Sequence, residues 1–352
     1  MTGIAKAISA VLIAAVTATG GILIGSNQSE KAPEEAPKEN ITAEQPAQET
    51  PKEDADGVFA IAVIPDTQQE VVNTHAIENK HFLNRTNWLV DNKKALDLRC
   101  VVHTGDIVNW GNEVPEQFVI ASEAMEVLAE ANIPTALCLG NHDTAAVGVG
   151  GSAADPANTR TRVRDTDSFN AHFSLDTYDY LVPYIDGKID NAYLRFEACG
   201  TKWLVIALEL WPRDDVIAWA ESEIKLRPDY NVIIATHAYL NSDGSIQQNN
   251  GGYGANSPQY MYDKLIKKYE NIKIVLSGHT GSSLVREDIG EHGNKIVSLL
   301  GCFHSNDQNP VKTVNIDVAN GKIYGNVFSP INQDRWEQFD FEVDGLEFIK
   351  YE

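Results

Sequence analysis

Apolar and polar positions alternate in blocks along most of the chain. Short runs, FAIAVI, RCVV, TALCL, NVIIA and IKIVL, each stop at a polar cluster. Largely apolar, mostly rich in Val and Ile and only four to six residues long, they read as buried strands. The clusters are Pro65-Asp66-Thr67-Gln68, Gly105-Asp106-Ile107-Val108-Asn109-Trp110-Gly111, Gly140-Asn141-His142-Asp143, Thr236-His237-Ala238 and Gly278-His279-Thr280. Helices are predicted between them over 78–96, 115–131, 213–226 and 258–269. Pro115 and Pro258 suit first-turn positions, where a missing N–H costs nothing. Strands alternating with helices place the body in the α/β class. After Gly278 the pattern changes to short strands, with Asn320-Gly321 and Asp344-Gly345 read as tight hairpins. Between Asp143 and Asn170 lies a long loop rich in Gly, Ala and Arg. Loops longer than about 15 residues are usually functional or mobile.

In open α/β sheets, ligands bind outside the carboxyl ends of the strands. Five strands therefore deliver Asp66, Gln68, Asp106, Asn141, His142, His237 and His279 to one edge. Carboxylate, amide oxygen and imidazole are ligand types for a divalent metal. An Asp after one strand is most often a turn or helix cap. Five such motifs in one chain are hard to assign to capping alone.

The order and spelling of these motifs resemble the calcineurin-like metallophosphoesterase superfamily. Its pattern is D-x-H, G-D-x-x-x-x-G, G-N-H-D/E, a lone His and G-H-x-H. The resemblance covers 58–330. It is strongest to a bacterial branch that begins P-D-T-Q and carries an L-E-x-x-P-R-D segment, here from Leu208-Glu209 to Asp214. It implies a four-layer α/β/β/α sandwich, with two mixed sheets face to face and helices outside. It also implies a phosphatase or phosphodiesterase with two divalent ions, Mn or Fe/Zn, and a metal-activated water. On this resemblance Asp106 bridges the ions, Asn141, His237 and His279 complete the second site, and Asp66 and Gln68 hold the first. His142 falls at the catalytic position that assists the leaving oxygen, and Asn109 at the position that orients it, often Asp in the family.

Two departures fall on the first site. Gln68 stands for the family's first His and Gly281 for its last. Amide oxygen is a weaker ligand than imidazole, so this site is expected to bind weakly and to favour a hard ion such as Mn or Mg. His304, after the run IVSLLGCF, is either a replacement ligand or a surface residue. His103 reads as packed behind the ligands, and Asp143 as a structural group of its turn. The competing class is a degenerate one-metal protein that binds an anionic envelope ligand.

Formal charge is −22. Such a body repels polyanions, so nucleic acid is not an expected partner; a phosphorylated small molecule or envelope component is. Arg160, Arg162 and Arg164 either clamp substrate phosphate or pair with Asp155, Asp165 and Asp167. Glu209 either lines the pocket or serves its own segment, with Trp211 packing beside it. Cys100, Cys138, Cys199 and Cys302 include no C-x-x-C pair and read as free thiols, most of them buried. Residues 1–27 carry one Lys and then a long apolar stretch, which reads as a signal peptide or a membrane anchor. The protein is then exported, and secreted or held at the membrane. Residues 28–56, acidic and rich in Pro and Ala, read as a disordered linker, and 57–352 as the metallophosphoesterase domain.

Overall fold

The computed structural model describes residues 57–304, 308 and 310–351. The expected signal peptide or anchor over 1–27 and the linker over 28–56 lie outside the described residues. The chain opens with β1 (Val58–Ile64), a 3-10 turn at Gln68–Val71, α1 (Thr74–Glu78), α2 (His81–Leu96), β2 (Leu98–His103), α3 (Glu116–Glu130) and β3 (Thr135–Leu137). Next come α4 (Thr159–Arg162), α5 (Asp167–His172), β4 (Val182–Pro183), β5 (Ala192–Ala198), β6 (Thr201–Leu208), α6 (Asp214–Lys225) and β7 (Tyr230–Thr236). Then follow α7 (Pro258–Lys264), β8 (Ile272–Ser277), β9 (Ser283–Ile289), β10 (Lys295–Gly301), β11 (Val311–Asp317), β12 (Lys322–Ser329), β13 (Asp334–Arg335) and β14 (Phe341–Asp344).

These strands form two mixed sheets. One runs β13-β12-β11-β1-β2-β3, with β14 also on β12; the other runs β4-β5-β6-β7-β8-β10-β9. The parallel strands carry the apolar runs: β1, β2 and β3 in the first sheet, β6, β7, β8 and β10 in the second. The sheets meet face to face, with Phe59 of β1 edge-on to Trp203 of β6 at 5.5 Å. Phe82 and Leu89 of α2 and Phe118 and Met125 of α3 extend this core. Val216, Ala220 and Ile224 of α6 cover Leu204 and Ile206 on the other face of the second sheet. The architecture is thus the expected α/β/β/α sandwich. Full burial of an aromatic such as Trp203 contributes on the order of 2–3 kcal/mol.

Three local expectations need correction. The helix expected over 78–96 is split: α1 ends at Glu78, and Lys80 at φ +52 breaks the chain before α2. The loop between Asp143 and Asn170 is not bare, because α4 and most of α5 lie in it. Asn320-Gly321 does turn β11 into β12, but Asp344-Gly345 closes no hairpin. Beyond Gly345 the chain crosses to the other sheet, where Tyr351 N donates to Gly200 O at 3.0 Å and Lys350 bridges Thr201. Cys100, Cys138 and Cys302 are buried free thiols. Among the described residues no helix is long and apolar enough to cross a membrane.

Lys312 of β11 ties the two sheets. Its Nζ donates to Ser283 Oγ and Leu300 O, both at 2.9 Å, and lies 5.1 Å from the Phe341 ring centre. These partners are a hydroxyl, a carbonyl and a ring, none of them a carboxylate. Burial therefore pushes the ammonium down from 10.5 to about 7. The fold favours the neutral amine, so this stabilisation is complete above the unfolded value and is lost as pH falls towards the folded one. Between about 7 and 10.5, stability should rise with pH by up to about 1.4 kcal/mol per unit from this group. Lys312→Met should flatten that part of the profile. Denaturant titrations at several pH values would show it, and an unchanged slope would reject the buried-amine assignment.

Candidate metal centre

β1, β2 and β3 of one sheet end at the same edge as β7 and β8 of the other, and main-chain bonds join the turns in pairs. Thr67 N donates to Asp106 O at 2.9 Å, and Gly278 N to His237 O at 2.8 Å. Further bonds cross between the sheets at this edge. His237 Nδ1 donates to Thr104 O at 2.8 Å, and His279 N donates to Asp66 Oδ1 at 3.1 Å. Asp106 sits at the junction. Its Oδ2 lies 2.9 Å from Gln68 Nε2 and 3.1 Å from His237 Nε2, and its Oδ1 accepts from His142 N at 3.1 Å. A Cβ on Gly140 would stand 2.0 Å from Asp106 Oδ1. The glycine of the G-N-H-D motif is therefore required by close approach. Asp106 at φ +53 and His279 at φ +74 are left-handed. Such residues cost about 1–3 kcal/mol each, and the surrounding structure must over-determine them.

The donor set fits a metal. Ligand atoms of Asp106, His237 and His279 all lie within 4.8 Å of one another. The bond from His237 Nδ1–H to the Thr104 carbonyl orients the ring and turns Nε2 towards this cluster, 3.1 Å from both Asp106 Oδ2 and His279 Nδ1. Asn141 Oδ1 and Gln68 Oε1 are buried acceptors with no partner. Unmatched buried acceptors are costly unless something cationic or hydrogen-donating meets them. The carboxylates show the same shortage of positive charge. Burial and then Asp106 push Asp143 up to about 8. Asp66 is raised to about 7 by burial, against the pull of His237 and with a further push from Asp106. Burial works to raise Asp106 as well, but His237 and then His142 hold it below the ordinary carboxylate value.

The remaining candidates separate clearly. His142 is half-buried beside the cluster, and its Nδ1 donates to the main-chain carbonyl of Asn109 at 2.6 Å. The sequence reading placed the Asn109 side chain in that role; the carbonyl performs it instead. The ring is thus held by a group that does not depend on the side chain at 109. Gln117, which the sequence did not single out, fixes that carbonyl's loop: its Oε1 accepts from Asn109 N at 3.0 Å and Trp110 N at 2.9 Å. Asp143 accepts from Val108 N and Gly140 N and is structural. His103 is buried, bonded to Thr67 Oγ1 at 3.1 Å and set against Phe82. Trp211 meets His279 edge-on at 5.7 Å, with Tyr253 behind it.

The loop arginines bond to main-chain carbonyls, one within the loop and the others in segments packed beside it. Arg162 Nε donates to Ala145 O at 2.7 Å, and Arg164 donates to the carbonyls of Leu210 and Trp211 and pairs with Glu209. Arg160 Nε lies 3.3 Å from Gly252 O. Glu209 is held by Arg164, Arg213 and Asn191. His304 is exposed, with Nδ1 3.0 Å from Cys302 Sγ.

The calcineurin-like phosphoesterase family model matches residues 59–283, and the chain belongs to that family. An uncharacterized protein of Bacillus subtilis, YvnB, is 25% identical over 265 residues. The match covers 72% of this chain, which spans 19% of that relative's length. A dimetal phosphatase from Danio rerio is similar in structure, at 13% identity and a TM-score of 0.47 over 84% of this chain and 99% of the other. GAP50, the anchor in the inner membrane complex of Plasmodium, is similar at 12% identity and a TM-score of 0.48 over 84% and 90%.

Gly140→Ala tests the junction. The methyl would displace the Asp106 carboxylate while leaving every ligand in the sequence. Metal affinity, measured by competition with a chromophoric chelator, should fall by about 10-fold or more. Wild-type affinity in a folded variant would show that Asp106 is not held by this contact.

Proposed function

We propose that the chain is a hydrolase of phosphoesters that uses two divalent ions bridged by Asp106. Asn141, His237 and His279 complete the second position, and Asp66 and Gln68 contribute to the first. The observation that supports this most directly is the crowding of acceptors around Asp106, with Gln68 Oε1 and Asn141 Oδ1 buried and unmatched on either side. A bound ion pair supplies Lewis acidity to the phosphate and lowers the pKa of the attacking water. The protein's own part is orientation and proton control. The Asn109 carbonyl holds His142 by Nδ1, which leaves Nε2 to carry a proton to the leaving oxygen.

The net charge of −22 supports a small phosphorylated substrate or an envelope component over a polyanion. The apolar stretch in 1–27 supports an extracytoplasmic setting, secreted or at the membrane. One observation favours the second reading, a one-metal protein that binds an anionic ligand. Gln68 turns its amide nitrogen, not its oxygen, towards Asp106.

Metal analysis and turnover separate the two readings. Purified protein loaded with Mn should hold two ions per chain and hydrolyse p-nitrophenyl phosphate or its bis-ester. One ion with no turnover on either ester would support the binding protein. Asp106→Asn should lose at least one ion and nearly all turnover, because removing the bridging charge leaves two cations unshielded. Full activity with unchanged metal content would reject the bridge. His142→Ala should keep its metal and lose rate on the order of 10²-fold or more. That loss should shrink for esters with good leaving groups. Loss of metal instead would make His142 a ligand.

A further inference from the structure

A groove opens at the edge where the metal donors gather. β10 runs parallel to β8, with Leu300 level with Ser277, so its carboxyl end reaches the same edge as the turn that carries His279. There Cys302 N donates to Ser282 O at 2.7 Å, which joins the end of β10 to the residues just past His279. On the other side, a Cβ on Gly301 would stand 3.9 Å from Pro65 Cβ, beside the Asp66 turn. Gly281, Ser282 and Cys302 line the groove together with Phe303, Trp336 and Phe339. Its volume is about 300 Å³, and none of its lining residues is charged.

The three rings form one platform. Phe303 meets Trp336 edge-on at 5.1 Å and lies 5.6 Å from Phe339, with Trp336 and Phe339 6.2 Å apart. Main-chain bonds fix the turn that presents them: Trp336 N donates to Val327 O and Phe339 N to Trp336 O, both at 2.9 Å. Phe303 is buried, whereas Trp336 and Phe339 are only half-buried. They have area left to bury against a flat partner. All three lie beyond residues 59–283, so the platform stands outside the part of the chain that matches the family model.

We propose that this groove receives the alcohol part of the phosphoester and selects an uncharged aromatic ring there. This rests on the hydrolase reading above, with the phosphate at the metal cluster and the ring on Phe303, Trp336 and Phe339. A charged alcohol would lose hydration in the groove and meet no opposite charge. An apolar cavity of roughly half this volume holds a benzene ring, so a single ring or a fused pair fits. Among the lining residues Gln338 alone supplies an amide, for a polar substituent on that ring.

Phosphonates test this without turnover, because their carbon–phosphorus bond is not hydrolysed. In calorimetric titrations of the Mn-loaded full chain, benzylphosphonate should bind about 10-fold more tightly than ethylphosphonate. Cyclohexylmethylphosphonate, as bulky but not flat, should fall between them. Phe339→Leu and Trp336→Ala should each weaken benzylphosphonate by about 5-fold and leave ethylphosphonate unchanged. Should Trp336→Ala not fold, the half-buried Phe339 carries the test alone. Equal wild-type affinities for the benzyl and ethyl compounds would overturn the proposal and leave the hydrolase reading intact. If Phe339→Leu then also altered the oligomeric state on sedimentation, the groove would be a contact between copies of the chain. A ring preference that survives these substitutions would place the ring elsewhere and overturn the proposal too. Mn-loaded protein that binds none of the phosphonates would sink the hydrolase reading along with it.

Discussion

The position of one carboxylate governs the rest of this centre. Asp106 lies where the two sheets come together, and its two oxygens accept from three different turns. It reaches that place only because the chain goes left-handed at 106 and because position 140 has no side chain. Each of these is unfavourable locally. Both are sustained by the apolar strands behind them, whose burial fixes the five turns before any ligand arrives. The sandwich is therefore the means by which a strained, crowded acceptor cluster is kept from relaxing apart.

That dependence explains what the sequence revealed. The strands were legible because a parallel strand buried on both faces has few alternatives to Val, Ile, Leu and Ala. The ligand edge was legible because polar residues cut those runs at the carboxyl ends. Less legible were features set by a single backbone angle or a distant partner. Lys80 splits the first helix through a left-handed φ that no pattern around it announces. Asp344-Gly345 has the composition of a hairpin, but the next strand-like stretch finds its partner in the other sheet. Gln117 supports the loop under His142 from the first turn of α3, where a Gln is unremarked.

Asn109 shows how a contact expected of a side chain can be made by the main chain of the same residue. Read by residue type, Asp to Asn removes the charge that would hold an imidazolium. Read from the structure, the ring is held by a main-chain oxygen. Main-chain acceptors do not depend on the side chain at their own position, only on the loop that presents them. Here that loop is pinned by Gln117 and by Asp143, which takes the N–H groups of Val108 and Gly140. The burden of orienting His142 thus passes from residue 109 to the two residues that shape the turn.

The same shift from side chain to framework makes the donors of the cluster unequal. His237 is locked by a carbonyl of the opposite sheet, and His279 by its own main-chain bond to Asp66 and by Trp211 against its ring. These donors are aligned before an ion enters, so little ordering entropy is lost when it does. Gln68, by contrast, is held by one amide bond to Asp106 and presents its nitrogen there. A cation would have to turn that amide before its oxygen could ligate, so Gln68 is the donor with the most ordering still to lose.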